Sequence, residues 1–398
     1  MQNPLQSLLD LADDEKDARG LRHTPFEISQ QPSSWLSTYQ RCLRQQAQLQ
    51  SFLRESGIAA NNRPAPVVFL VGAGTSDYIG RALADLLRQR WACPVWSVPS
   101  TELLTNMESL LVPGYEYLWI SFSRSGDSSE GVAVIQKALS AYPAIRHVAV
   151  TCNSSGQMAH LCSEKPDQML ALVLDDDAVN DQGLAMTSSF SNMVVAGQCL
   201  AHIGEMEHYR EILDGMVTMG TKFLRDAADV AASVAAVNCS KACFLGAGPL
   251  AAVASESALK LLELTAGRIH TMSETVLGFR HGPMSALNRD SLCILFLSNN
   301  QRRQCYETDL LMEIQTKELA GVTVAVTPQR TAHLESLTDR LLTLGAPPSF
   351  RDEYRPPLDV MFAQLLGLFS SVQAGLHPDR PSPNGAINRV VSHLQVYP

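Results

Sequence analysis

The run Val67-Val-Phe-Leu-Val-Gly-Ala-Gly-Thr-Ser76 has a counterpart about 174 residues later, Cys243-Phe-Leu-Gly-Ala-Gly248. Each is an unbroken apolar segment that closes on a glycine turn and opens a helical pattern. Apolar residues that do not alternate with polar ones suit a strand buried on both faces, as in a parallel sheet. The order after the turn also repeats. In the first copy, strands are expected at 94–98, 117–122, 148–152 and 169–174, with a helix over 78–89. In the second, 268–272, 292–298 and 322–327 take the second, third and fourth places. Strands alternating with helical stretches give βαβ units, and the shared order makes this a duplicated domain. The expected fold is therefore α/β: two tandem domains, each a five-stranded parallel sheet flanked by helices. A polar, helix-prone N-terminal arm over 1–50 precedes them, with domains at 51–210 and 211–398.

A chain of 398 residues can bury two ordinary cores. Its net charge of −9 argues against a general nucleic-acid surface, so an anionic substrate needs a local pocket of donors. No apolar run is long enough for a membrane span. The best candidate, 360–376, is interrupted by Gln364, Ser370, Ser371 and Gln373 and reads as a core helix. No basic start followed by an apolar stretch marks a secretory signal. The nine cysteines are scattered and form no C-x-x-C, which fits buried thiols in a reducing cytoplasm rather than disulfides or a metal site.

The two copies differ in chemistry. In the second, Ser255-Glu-Ser-Ala-Leu-Lys-Leu-Leu-Glu-Leu-Thr-Ala-Gly267 is a strong helix former, with Gly267 as its stop. Glu256, Lys260 and Glu263, at i, i+4 and i+7, share one stripe. An isolated stripe of this kind is ordinarily a solvated face carrying support pairs. This one follows a strand and glycine turn, at the edge of a parallel sheet where α/β proteins bind ligands. With His281, in Gly278-Phe-Arg-His-Gly-Pro283, it supplies a carboxylate, an ammonium and an imidazole for proton transfer. In the first copy Ser123, Ser125, Ser128 and Ser129 surround Gly126 at a strand end that opens a helix. Hydroxyls and helix N–H groups make a neutral trap for a phosphoryl group. Thr75 and Ser76 add to it from the neighbouring turn. A serine loop standing alone is usually a helix cap, but two such loops on adjacent strands point to a site. Gly246-Ala-Gly248-Pro-Leu-Ala251, with Glu274 after the next strand, also fits a loose dinucleotide fingerprint. That alternative leaves Lys260, Glu263 and His281 unexplained, and the first copy breaks the pattern with Asp77.

Together, Gly-Ala-Gly-Thr-Ser76, Ser123-Arg-Ser-Gly-Asp-Ser128, Glu256-Ser-Ala-Leu-Lys-Leu-Leu-Glu263 and Phe279-Arg-His-Gly-Pro283 resemble the tandem sugar isomerase (SIS) domain family. Leu262-Glu-Leu-Thr-Ala-Gly267, Gly183-Leu-Ala-Met-Thr-Ser-Ser189 and the tail Asn388-Arg-Val-Val391 are similar to its bacterial AgaS group. That group comprises galactosamine-6-phosphate deaminase/isomerases and tagatose-6-phosphate ketose/aldose isomerases. The resemblance implies that Glu263 moves a proton between C1 and C2, with Lys260 at that end of the sugar. His281 would assist ring opening, reaching in from a partner subunit of a homodimer. Substrate binding would fall to Thr75, Ser76, Ser123, Arg124, Ser125, Ser128, Thr187, Ser188 and Arg389, with no cofactor, metal, nucleic acid or membrane involved. Glucosamine-6-phosphate synthase, a tandem relative, has a Schiff-base lysine where this chain has Arg389, and an arginine cannot form an imine. No amidotransferase domain precedes the tandem pair, so ammonia release is expected rather than amino-sugar synthesis. A plain ketose/aldose isomerase, a glucosamine-6-phosphate deaminase and a non-catalytic sugar-phosphate sensor are the alternatives.

Overall fold

The computed structural model describes residues 3–59, 64–174, 177–382, 384–390 and 395–397. Five helices come first: α1 (Pro4–Leu9), α2 (Asp13–Arg19), α3 (Thr24–Ser29), α4 (Gln31–Arg44) and α5 (Gln46–Glu55). The first copy then runs β1 (Val67–Gly72), α6 (Thr75–Trp91), β2 (Val95–Pro99), α7 (Ser100–Leu110) and β3 (Tyr117–Ser123). It continues through α8 (Ser129–Ala141), β4 (Arg146–Thr151), α9 (Gln157–Glu164) and β5 (Met169–Val173). Helices α10 (Ser188–Ala201) and α11 (Met206–Ala235) lead to the second copy. There the order is β6 (Lys241–Gly246), α12 (Pro249–Leu264), β7 (His270–Thr275), two 3-10 turns (Gly278–His281 and Pro283–Ala286) and β8 (Ser291–Phe296). Helix α13 (Gln301–Thr316), β9 (Val322–Thr327), α14 (Ala332–Leu337), β10 (Arg340–Thr343) and α15 (Pro356–Gln373) complete it.

Among the described residues the strands form two parallel five-stranded sheets, ordered β2-β1-β3-β4-β5 and β10-β9-β8-β6-β7. Read from the β7 edge, the second order is the first one again. Strand β10 was not anticipated: Arg340-Leu-Leu-Thr343 is too short and too mixed to stand out as a strand. The sheet cores are the apolar runs themselves. Phe69, Val71 and Trp119 pack together in the first copy, and Leu245, Cys293, Leu295 and Ala325 in the second. Burying one such large side chain is worth about 1.5–3 kcal/mol.

By contacts the chain falls into two compact units. One holds Ser33–Asn180, Ser188–Leu213 and Ile387–Pro398, and therefore the first sheet. The other holds Met1–Pro32, Asp181–Thr187 and Asp214–Ala386, and therefore the second. The division lies inside α11, so no loop links the copies at residue 210. Side chains explain the discontinuous membership: Asp379 accepts from the Thr24 N–H at 2.7 Å, and Glu27 accepts from the Gly183 N–H at 3.2 Å. Three carboxyls (Glu27, Asp181 and Asp379) lie near one another, and burial, followed by the charge of Asp181, pushes Glu27 up to about 8.

Helix α15 is buried from Pro356 to Ser371, as expected for the interrupted apolar run. Its polar Gln364 accepts from the Gln31 amide at 2.7 Å. Among the described residues no helix is long and apolar enough to cross a membrane.

Candidate active site

In the first sheet β1 and β3 are neighbours although β2 lies between them in sequence, so the strand order turns back at this pair. The carboxyl end of such a pair is where open α/β sheets take ligands. Both expected loops are there. A Cβ on Gly72 would lie 2.4 Å from the Ser76 carbonyl, so only glycine lets the first turn of α6 close onto β1. Thr75 and Ser76 form that turn and are buried. In the second loop Gly126 has a φ of +69°, and an added Cβ would meet the Thr151 hydroxyl at 3.1 Å.

The loop 123–129 is braced. Ser123 Oγ accepts from the Gly126 N–H and Ser125 Oγ from the Asp127 N–H, each at 3.1 Å. The loop after β4 holds it from outside: Asn153 Nδ2 donates to the Ser125 carbonyl at 2.8 Å, and the Gln157 N–H donates to Asp127 Oδ1 at 2.8 Å. Sequence reading gave no role to Asp127, although it lies within the Ser123–Ser128 motif, and missed Asn153, whose only signal is a polar residue just beyond a strand end. Ser128 is the N-cap of α8, and its hydroxyl makes no capping bond. It therefore stands ready beside a helix start, where backbone N–H groups lack intrahelical partners. Ser128→Ala is expected to weaken sugar-phosphate binding by about 1.5–3 kcal/mol, the worth of a hydrogen bond to a charged group. Calorimetric titration checks this; unchanged affinity would make the serine loop a purely structural turn.

The two arginines are ties within this unit. Arg124 donates to the Arg389 carbonyl at 2.5 Å, and the Arg389 guanidinium donates to Asn180 Oδ1 at 2.8 Å. They fasten the tail to the serine loop. The tail motif ends at residue 391, outside the described residues.

Thr187 and Ser188 lie at the start of α10. Both are fully buried, and Thr187 gives its hydroxyl to Asp181 Oδ1 at 3.0 Å and its N–H to Asp181 Oδ2 at 2.8 Å. The Ser188 carbonyl accepts from the Asn192 amide at 2.8 Å, within the first turn of α10. Their polar groups brace the chain where it enters that helix.

In the second copy the charged stripe is not a solvated face. Helix α12 packs on β6, β7 and the buried α15. A Cβ on Gly367 would fall 2.6 Å from Leu264, so a glycine lets the two helices approach closely. This contact leaves the Glu256 side chain 0% and Lys260 1% exposed, whereas Glu263 keeps 22%. Lys260 Nζ lies 2.5 Å from Glu263 Oε2 and 3.5 Å from Glu256 Oε1. A buried ammonium is tolerable only when paired, and here two carboxylates share it. The pair holds one oxygen of the Glu263 side chain, while Oε1 makes no hydrogen bond among the described residues.

His281 ends the first 3-10 turn and is exposed, with no hydrogen bond or ion pair among the described residues. Its neighbours are held: Phe279 is fully buried, and Arg280 Nε lies 2.8 Å from Glu313 Oε2 on α13. The turn is thus fixed while the imidazole stays available, and no bond joins it to Glu263 of the same chain.

The glycine turn after β6 lies beside an arginine. The Arg303 guanidinium approaches it, with Cζ 3.0 Å from where a Gly248 Cβ would be. Glu274 turns back to accept from the Thr275 N–H at 2.7 Å.

Comparison with known proteins places this geometry among relatives. Residues 237–368 match the family model described as SIS domain. A protein of Escherichia coli named D-galactosamine-6-phosphate deaminase AgaS is 32% identical over 381 residues, covering 94% of this chain and 95% of its own. The crystal structure of tagatose-6-phosphate ketose/aldose isomerase from Escherichia coli superposes with a TM-score of 0.82 at 29% identity, covering 94% of this chain and 96% of that one. A Clostridium novyi structure, provisionally described as the same kind of isomerase, superposes with a TM-score of 0.92 at 29% identity over 98% of both chains.

Proposed function

Because this chain belongs to the AgaS family of tandem SIS-domain enzymes, we propose that it is an amino-sugar-phosphate deaminase/isomerase converting galactosamine 6-phosphate to tagatose 6-phosphate and ammonia. The observation that carries this reading is the pair of buried Lys260 with half-buried Glu263, which leaves one Glu263 oxygen open. His281 assists opening of the pyranose to the aldehyde. Glu263 removes the C2 proton to give an enolamine and returns a proton to C1, leaving an imine at C2. Water adds to that imine and ammonia departs, so the ketose phosphate forms with no change in oxidation level overall. Each transfer is general acid/base work for a carboxylate held within reach of both carbons, and the reaction as written uses no cofactor.

The phosphate is assigned to Thr75, Ser76, Ser123, Ser125 and Ser128, whose loops crown β1 and β3. Lys260 holds Glu263 and faces the C1/C2 end. Arg124 and Arg389 shape the loop rather than bind sugar directly, consistent with their bonds to the tail and to Asn180. His281 is assigned to the partner's site in a homodimer, which accounts for an exposed imidazole on a fixed turn. A cytoplasmic enzyme suits nine free cysteines, eight of them buried.

The deciding assay measures ammonia. Galactosamine 6-phosphate should yield ammonia and a ketose phosphate in equal amounts. Ammonia from neither galactosamine nor glucosamine 6-phosphate, with tagatose 6-phosphate converted to its aldose, would replace the deaminase by a plain isomerase.

A further inference from the structure

The second sheet turns back between β6 and β8 as the first does between β1 and β3. Its counterpart of the serine-loop crevice is not filled. A cavity of about 470 Å³ opens there, between the glycine turn after β6, the end of β7 and the start of α13. That volume lies within the roughly 300–1,000 Å³ of small-molecule sites.

Its lining is polar in a specific way. Arg302 and Arg303 stand in the first turn of α13, and Asn300 is that helix's N-cap. Arg302 is exposed and makes no hydrogen bond or ion pair among the described residues. Arg303 reaches Asp352 only at 3.3 Å. Glu307, one turn further on, is fully buried; one oxygen accepts from the Ser298 N–H at 2.7 Å, and Oε1 has no hydrogen-bond partner among the described residues. A buried carboxyl oxygen without a hydrogen bond is costly, and Glu307 is one of the residues that line the cavity. Burial pushes Glu307 up to about 7, opposed by the Ser298 N–H and then by Arg355. Near neutrality the group can thus be an acceptor or a donor. A hydroxyl, itself both donor and acceptor, matches it in either form, which a bare anion does not.

We propose that this cavity is a second small-molecule site, for a phosphorylated polyol, with Arg302 and Arg303 on the phosphoryl group and Glu307 on a hydroxyl. It is separate from the reacting end of α12. The cavity touches Gly248, just before that helix, and Glu263 lies 15 residues on, about 22 Å away at 1.5 Å per residue.

The test uses the full chain with glucose 6-phosphate and inorganic phosphate as probes, in a Ser128→Asp background. That substitution keeps a good N-cap but sets a carboxylate against any phosphoryl group in the serine loop. One glucose 6-phosphate should still bind per chain, more tightly than inorganic phosphate. Adding Arg302→Glu, at an exposed side chain with no partner to lose, should weaken it roughly tenfold or more. No binding in the Ser128→Asp chain, or the same affinity after Arg302→Glu, would overturn the site. Equal affinity for both probes would overturn the assignment of a polyol. Wild-type and Ser128→Asp chains that bind identically, with binding lost on Arg302→Glu, would support this cavity and refute the serine loop as the phosphate trap. The two readings can therefore fail separately.

Discussion

Glu263→Gln should lower turnover by roughly 10²–10⁴-fold while leaving sugar-phosphate affinity nearly unchanged. Glutamine keeps the size of the side chain and an oxygen for Lys260 Nζ, which lies 2.5 Å from Glu263 Oε2, but it accepts no proton from carbon. Steady-state rates and calorimetric binding separate the two effects. Loss of binding in proportion to activity would mean that the pair organises the pocket rather than moving protons. Mixing subunits extends the test. If the exposed His281 completes a partner's site, Glu263→Gln and His281→Ala chains should regain activity in hybrid dimers. Mixtures shown to exchange subunits, yet with no recovery, would place both groups in one chain's site.

The largest expected loss of stability lies at Arg355. Its side chain is 0% exposed; it lies 2.7 Å from Asp359 and 3.0 Å from Asp352, and it donates to the Leu297 carbonyl at 2.6 Å. Asp352 in turn accepts from the Asn299 N–H at 2.8 Å, so this network fixes the loop after β8. Arg355→Leu leaves Asp359 buried without its cation and Asp352 with Arg303 alone, at 3.3 Å, and breaking a buried pair in this way costs about 3–5 kcal/mol. Urea unfolding should show this as a lower midpoint with a similar slope. Arg355→Leu combined with Asp359→Leu should recover part of the loss, because one uncompensated charge is gone. A single variant as stable as wild type would show that water reaches these groups.

How far the residues alone lead differs between the copies. The two sheets are written in short apolar runs: Val67-Val-Phe-Leu-Val71 and Val322-Thr-Val-Ala-Val-Thr327 have little alternative to a strand buried on both faces. Their periodicity is local, and so are the glycine turns and the serine-rich helix start, so the fold class and the serine-rich loop proposed for the phosphate are legible without coordinates. Strand β10 is not, because four mixed residues become a strand only by pairing with β9.

The stripe on α12 shows the same boundary within a site. Spacing places Glu256, Lys260 and Glu263 on one face of a helix, but spacing is equally satisfied by a face in water. Burial was decided by α15, which lies a hundred residues away in sequence and covers that face. Thr187 illustrates the converse. A hydroxyl beside a serine-rich segment looks like a ligand group, and only the tertiary structure shows that it donates to Asp181. The second cavity depends on tertiary structure most of all. Arg302, Arg303 and Glu307 read as an ordinary charged helix, and their meaning comes from the β6 turn and the end of β7 that close around them. Local sequence thus determined the strands, the turns and the types of group available. Which of those groups lost water, and which kept an open side, was decided by contacts between segments far apart in the chain, because desolvation and hydrogen-bond satisfaction depend on what packs against a group and not on its neighbours in sequence.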